Sequence, residues 1–455
     1  MTDEIKASAP AENVLKVRED IEPIRFTMSG SSATIVSGDR PSWAEETMGR
    51  DNLRARIEPW LTSLVQADHL NLLVGSGLTT GVQQIAGAVP SESMAGGNFN
   101  THGTNIADAA RGSALLANRS EPNIEDEIRT ANQLLRGLEI LQDRSAGQVR
   151  DELRSVLEDF THSVLQGERS LAEADSNKRD LAFTTLASFL MSFSSRTGVR
   201  DRLGLFTTNY DRLLEIGTDL AGIHLIDRFV GKISPIFRSS RLDLDLHYNP
   251  PGIRGEPRYV EGVARFAKLH GSLDWIDTGA VIQRMGLPFG ASSLEPYLSA
   301  PGLQDVDPTQ LMIYPNASKD RETAEFPYVE LFRDFAAAVA RPNAVTVTYG
   351  YSFGDEHINR VLQDALTIPS THLVIIAYGD ELGRIMNAFE SWGRRSQISL
   401  LLGPELARLE NLTSFYLPKP SIDLTSRRMG ELLRQRYGSA EDTIDASQTG
   451  SGSAQ

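Results

Sequence analysis

Short, continuous apolar runs alternate with amphipathic stretches along most of this chain. Leu70–Val74, the run opening at Leu205, Phe266–Leu269, Leu311–Tyr314, Ala344–Tyr349, Leu373–Tyr378 and Ile398–Leu402 have the length of strands and little polar interruption. Runs of that kind suit strands buried on both faces. Between several of them lie stretches with apolar residues at helical spacing, at Pro327–Ala340, Glu356–Leu366 and about Asp380–Trp392. Strands alternating with such helices predict an α/β fold built on a doubly wound, mostly parallel sheet.

The long interval after Leu70–Val74 reads differently. Residues 82–118 are rich in Gly, Ala, Ser and Asn and are expected to form a loop or lid. Three apolar stripes follow: Ile124, Ile128, Ala131, Leu135 and Leu138; then Leu153, Val156, Leu157, Phe160 and Val164; then Leu186, Phe189, Leu190 and Phe193. They predict a helical insertion at about 120–200, with Asn123 as a cap or a binding residue. A helix is also expected from Trp43 to about Ala67, capped by Ser42. Gly222–Val230 reads as strand, Leu242–Leu246 alternates as an edge strand does, and 277–309 reads as a surface excursion. Residues 1–41 are expected to be a mobile segment, 42–420 the folded domain, 421–437 a C-terminal helix and 438–455 a disordered tail.

Composition narrows the function classes. The 455-residue chain is 40% hydrophobic and 23% charged, which suits a substantial core. Its net charge of −15 makes direct nucleic-acid binding an unfavoured reading, because neutralising phosphates needs basic surface. No apolar run approaches a membrane span and no signal peptide is evident, so a cytoplasmic, membrane-free protein is expected. The chain has no cysteine, which removes disulfides, thiolate zinc sites and cysteine nucleophiles.

Four polar clusters fall just after expected strands: Gly75–Gly81, Thr207–Asp211, His270–Ser272 and Gly350–Asn359. Each has an ordinary explanation. The glycines make a tight turn, Asn209 caps a helix, His270 is a hydrogen-bonded core histidine, and Asp355, His357 and Asn359 are turn or first-turn residues. Their common placement at strand ends favours a second reading, since ligands of open parallel sheets bind in the crevice beyond those ends.

The same four clusters, Gly-Ser-Gly, Thr-Thr-Asn-Tyr-Asp, Leu-His-Gly-Ser and Gly-Tyr-Ser-Phe-Gly-Asp-Glu-His-Ile-Asn, resemble the bacterial sirtuin-like proteins, in the branch found in anti-phage defence systems. The resemblance spans roughly residues 60–405 and implies a Rossmann-like, NAD-binding catalytic domain. It implies that Gly75, Ser76, Gly77 and Thr79 cradle phosphate and that Asn209 faces the nicotinamide ribose, with Thr208 and Asp211 in the same motif. It implies His270 as the catalytic histidine and Gly350 and Ser352 near the adenosine ribose and phosphates. Asp355, His357 and Asn359 belong to the branch's signature without an assigned role. Deacylase sirtuins carry a four-cysteine zinc module after the His-Gly motif; this chain cannot build one, so no zinc ribbon and no zinc are expected.

The function so implied is hydrolysis of the nicotinamide N-glycosidic bond of NAD, releasing ADP-ribose and nicotinamide and depleting NAD in anti-phage defence. NAD is the substrate and no further cofactor is expected. A non-catalytic subunit sensing NAD or ADP-ribose, and an ADP-ribosyltransferase or deacylase, are the alternatives. The resemblance also implies a homo-oligomer and a HerA-like ATPase or other defence-system partner.

Overall fold

The computed structural model describes residues 11–419 apart from 38–41, 46, 90–96, 117–120, 197–199, 240–244, 249–257, 300–302, 304–310 and 312–325. Its frame is an eleven-stranded sheet. In chain order the strands are β1 (Glu12–Lys16), β2 (Ile24–Ser29), β3 (Ser32–Ser37), β4 (Thr47–Gly49), β5 (His69–Val74), β6 (Leu203–Thr207), β7 (His224–Ile226), β8 (Val263–Lys268), β9 (Ala344–Tyr349), β10 (His372–Ala377) and β11 (Ile398–Leu402). Their spatial order is β4-β3-β2-β1-β11-β10-β9-β5-β6-β8-β7. The seven from β11 to β7 are parallel. The fold is therefore mixed α/β and Rossmann-like.

The apolar runs become central strands because both faces are covered. One face packs on α1 (Arg50–Val65), α2 (Ser76–Ala86), α6 (Ser176–Ser194) and α7 (Leu213–Leu220), through Leu53, Val82, Phe189 and Leu213. The other packs on α8 (Tyr328–Val339), α9 (Glu356–Ala365) and α10 (Arg384–Ser391), through Phe335, Ile358 and Phe389. From β5 the chain winds outward through β6 and β8; it then returns to the far side of β5 as β9 and winds the other way. The sheet's topological switch point thus lies between β5 and β9.

A third core stands beside the sheet. It is formed by α3 (Gly103–Leu116), α4 (Ile124–Leu141) and α5 (Ala146–Ala172), with Ile106, Ile128, Val156 and Phe160 buried. Residues 82–86, which end α2, and 103–116 are thus helix rather than the expected loop; in the latter Ile106, Ala110 and Ala114 supply a buried apolar stripe. Met285, Leu287 and Leu294 join the same core, so the expected surface excursion is partly interior.

The N-terminal segment is the largest departure from expectation. Residues 12–37 are not a mobile tail but three antiparallel strands that extend the sheet beyond β11. Leu15 and Phe26 are fully buried, and the Lys16 ammonium donates to the Ile398 carbonyl at 2.9 Å. Pairing with β11 satisfies a backbone edge that would otherwise be open. The first helix starts at Arg50, later than expected, since Thr47–Gly49 pairs with β3 and the Trp43 indole is held by Asp20. The expected C-terminal helix and tail, and most of Leu242–Leu246 and Leu311–Tyr314, lie outside the described residues. No helix among the described residues is long and apolar enough to cross a membrane.

Phe26→Ala is expected to destabilise the fold by about 3–5 kcal/mol, read as a lower urea midpoint. A near-neutral effect would mean that β1–β3 are not integral to the core.

Candidate active site

At the switch point the turn after β5 meets the turn after β9. The Gly75 amide donates to the Tyr349 carbonyl and the Gly77 amide to the Gly350 carbonyl, both at 3.0 Å. A Cβ on Gly75 would lie 2.7 Å from Tyr351 Cα, and one on Gly77 would lie 2.6 Å from Gly350 Cα. Gly350 itself has φ +61, a conformation that favours glycine. The glycines are therefore demanded by backbone nesting. Two amides expected to cradle phosphate are already engaged; Ser76, exposed at the first position of α2, remains placed toward solvent at that turn.

The turn after β6 locks onto this pair. The Asn209 side-chain amide donates to the Gly75 carbonyl at 3.1 Å and to Thr79 Oγ1 at 3.2 Å. Thr79 Oγ1 in turn donates to Asp211 Oδ2 at 2.7 Å, while Asp211 Oδ1 accepts from the Leu213 amide at the start of α7. Gly75, Thr79, Asn209 and Asp211 thus form one network. Thr208 is half-buried on the same rim, its amide donating to the Val74 carbonyl at 3.2 Å.

His270 follows β8, the neighbour of β6, and its ring centroid lies 6.3 Å from that of Tyr210. Its Nε2 is 2.8 Å from Asp355 Oδ2. The two side chains are 21% and 20% exposed, so the pair is shielded yet reachable. Asp355 Oδ1 also accepts from the His357 and Ile358 amides, capping α9. Burial would raise the Asp355 carboxyl, but hydrogen bonding and charge from His270, with the Ile358 amide and His357, outweigh it and hold it at about 2.

The late motif is a self-bonded loop that presents this carboxylate. Asn359 donates to the Phe353 carbonyl at 3.0 Å, and the Tyr351 hydroxyl lies 3.1 Å from the Asp355 carbonyl and 3.0 Å from Asn359 Oδ1. Burial pushes the Tyr351 phenol well up, so it stays a donor. Ser352 is exposed; Ser352 Oγ and the Arg384 guanidinium flank Gly354.

Buried charges brace the Asn209–Arg212 turn. Lys268, fully buried, donates to the Tyr210 and Asp211 carbonyls and pairs with Glu215 at 3.0 Å. Burial raises the Glu215 carboxyl, against the lowering influence of Lys268. Arg212 pairs with Glu168 of α5 and donates to the Leu287 and Pro288 carbonyls. Tyr210 donates to Glu125 of α4 at 2.9 Å and packs edge-on against Phe160. Asn123 is the cap of α4, reciprocally bonded with Asp126. Lys268, Arg212, Glu168, Glu125 and Arg384 went unnoticed in the sequence; the signal was charge beside strand ends and within apolar helical stripes.

Residues 204–396 match the SIR2-like domain family. The match takes in Asn209, Asp211, His270, Gly350, Ser352 and Asp355, and leaves Gly75–Thr79 outside it. It supports a SIR2-like family member; such domains are often NAD-dependent enzymes, which implies NAD as substrate or ligand. No curated protein matches the chain. Among the described residues no cluster of His, Asp or Glu is arranged to hold a metal ion.

A separate cavity of about 280 Å³ lies at the opposite, amino ends of the strands, beside Asn71, Gly204 and Arg265. Arg202, Arg228 and Arg341 at its walls are bound by Asp245, Asp334 and Asp201. It is remote from the clusters gathered at the carboxyl ends, where the convergent polar groups are.

Gly350→Ala is expected to cost about 1–3 kcal/mol by overpacking. Gly137→Ala in α4, where a Cβ meets open space, should stabilise by up to about 1 kcal/mol. Thermal unfolding of the two variants checks the contrast. The depressed Asp355 carboxyl contributes stability above its ordinary value of 3.8 and loses it as pH falls toward about 2. Asp355→Asn should therefore show a shallower loss of stability across that window in acid unfolding.

Proposed function

We propose that this rim hydrolyses the nicotinamide N-glycosidic bond of NAD. The observation that carries the reading is the convergence, at one switch point, of the Gly75–Thr79–Asn209–Asp211 network with the His270–Asp355 pair. The match to the SIR2-like domain supports NAD as the molecule addressed.

The residues suit a dinucleotide. Ser76 at the amino end of α2 and the Arg384 guanidinium beside Ser352 offer polar and cationic groups for the diphosphate. Asn209, whose side-chain amide is bonded to Gly75 and Thr79, is the residue assigned here to orient the ribose and water. As the C–N bond breaks, its electron pair leaves with neutral nicotinamide and positive charge develops on the ribose. Water adds to the anomeric carbon, and His270 takes the proton, giving ADP-ribose. Asp211 accepts from Thr79 and an amide, which favours a role in holding the turn, with cation stabilisation as its second candidate role.

A chain without cysteine cannot form the four-cysteine module of deacylase sirtuins, which weighs against protein deacylation. Depletion of NAD in anti-phage defence, a homo-oligomer and an ATPase or sensor partner complete the proposal. Free NAD hydrolysis would harm a cell, so control is needed. The bonds from Tyr210 to Glu125 and from Arg212 to Glu168 give the helical insertion a direct hold on the Asn209 turn.

Asn209→Ala and His270→Ala are each expected to lower nicotinamide release by at least about 10²-fold while leaving the unfolding temperature within a few degrees. Full turnover by either variant would overturn the assignment. Stabilisation of the wild type by NAD without nicotinamide release would point instead to a sensing subunit.

A further inference from the structure

The cavity at the amino ends of the strands holds polar groups that the fold itself leaves unused. Along its floor runs one row of the parallel sheet, in which Asn71 of β5, Gly204 of β6 and Arg265 of β8 stand side by side in register. Residues of one row share a face, so Asn71 and Arg265 flank a position without a side chain. The Asn71 amide donates to the Ala338 carbonyl of α8 at 3.1 Å, which turns its Oδ1 over Gly204, where a Cβ would collide with it. Asn71 is only 3% exposed, and among the described residues nothing donates to that oxygen.

The charges at the walls do not balance. Among the described residues the walls carry five guanidiniums and three carboxylates. All three carboxylates are engaged: Asp334 pairs with Arg228, Asp201 with Arg341 and Asp227 with Arg284. Arg202 is held by Asp245. Arg265 and Arg238 are left with no ion pair and no side-chain hydrogen bond among the described residues. Asp245 is within electrostatic reach of Arg265, but its bond goes to Arg202. Arg265 is half-buried, where a cation gains most from a counter-charge. Arg238 is exposed, and its amide donates to the Arg228 carbonyl at 2.9 Å, which fixes its place in the chain beside the cavity.

We propose that this cavity binds a small organic anion, its carboxylate or phosphate group on Arg265 and Arg238 and an O–H or N–H of its body donating to Asn71 Oδ1. Asn71 and Arg265 are two strand spacings apart, roughly 10 Å, which a molecule about one ring long bridges. Phe206 and Phe229 give that ring an apolar wall. A volume of about 280 Å³ stands at the small end of ligand pockets and suits a molecule smaller than a dinucleotide. The inference does not rest on the hydrolase reading, because none of these residues belongs to the opposite rim.

Ligand-observed NMR on the full chain at physiological salt tests it with 4-hydroxybenzoate and 4-hydroxyphenyl phosphate. Benzoate lacks the donor, 4-hydroxybenzamide lacks the charge and inorganic phosphate lacks the body. At least one of the two hydroxylated anions should bind saturably, and the tighter of them identifies the head group. Each of the three reduced probes should bind at least about fivefold more weakly, and Arg265→Gln and Arg238→Gln should each weaken the preferred anion by a similar factor. Should Arg265→Gln fail to fold, Arg238→Gln, at an exposed position, decides alone. No saturable binding of either hydroxylated anion overturns the proposal. So does binding that both variants leave unchanged, or that a reduced probe equals.

Discussion

The site depends on the nesting of two backbone turns at the switch point of the sheet. Gly75 and Gly77 lie so close to Gly350 and Tyr351 that no side chain fits between them, and their amides bond directly across the gap. Parallel strands β5 and β9 bring the turns to the same level through an unbroken six-residue register. Asn209 reads the result by donating to the Gly75 carbonyl. Once the two turns are nested, the remaining polar groups have fixed positions to address.

Support comes from buried charge placed on backbone. Lys268 and Arg212 both spend donors on carbonyls of the site turn or of its neighbours and are neutralised by Glu215 and Glu168. Removing one partner of such a pair leaves a buried charge unmatched, which is far costlier than the pair is worth. Their effect is to make the Asn209 turn rigid and to join it to the helical insertion. Pre-organisation of this kind is what the proposed glycoside cleavage would draw on, because groups that need not rearrange cost nothing at the moment of reaction.

The central strands were legible because burial on both faces leaves an unmistakable run: Ala344–Tyr349 and Ile398–Leu402 are strands with those bounds. The N-terminal strands were not, since their few apolar residues gain meaning only through pairing with β11. Helix α3 was hidden by its Gly, Ala and Asn content, whose small side chains pack closely instead of signalling a loop. In the site, residue types and their order pointed to the rim. The contact between His270 and Asp355 could not be read, because 85 positions separate them and Asp355 carries an ordinary cap signature. The glycines read either as a tight turn or as a phosphate cradle; the close approach of the β9 turn, which the sequence does not show, is sufficient to require them.

The central claim is that the ordered rim performs hydrolysis, and product balance tests it most directly. Purified full-length protein is incubated with NAD, and nicotinamide, ADP-ribose and protein-bound ADP-ribose are separated and quantified. The account predicts nicotinamide and free ADP-ribose in equal amounts, with no label retained on protein. NAD recovered intact, or ADP-ribose found on an acceptor in place of the free product, would contradict it.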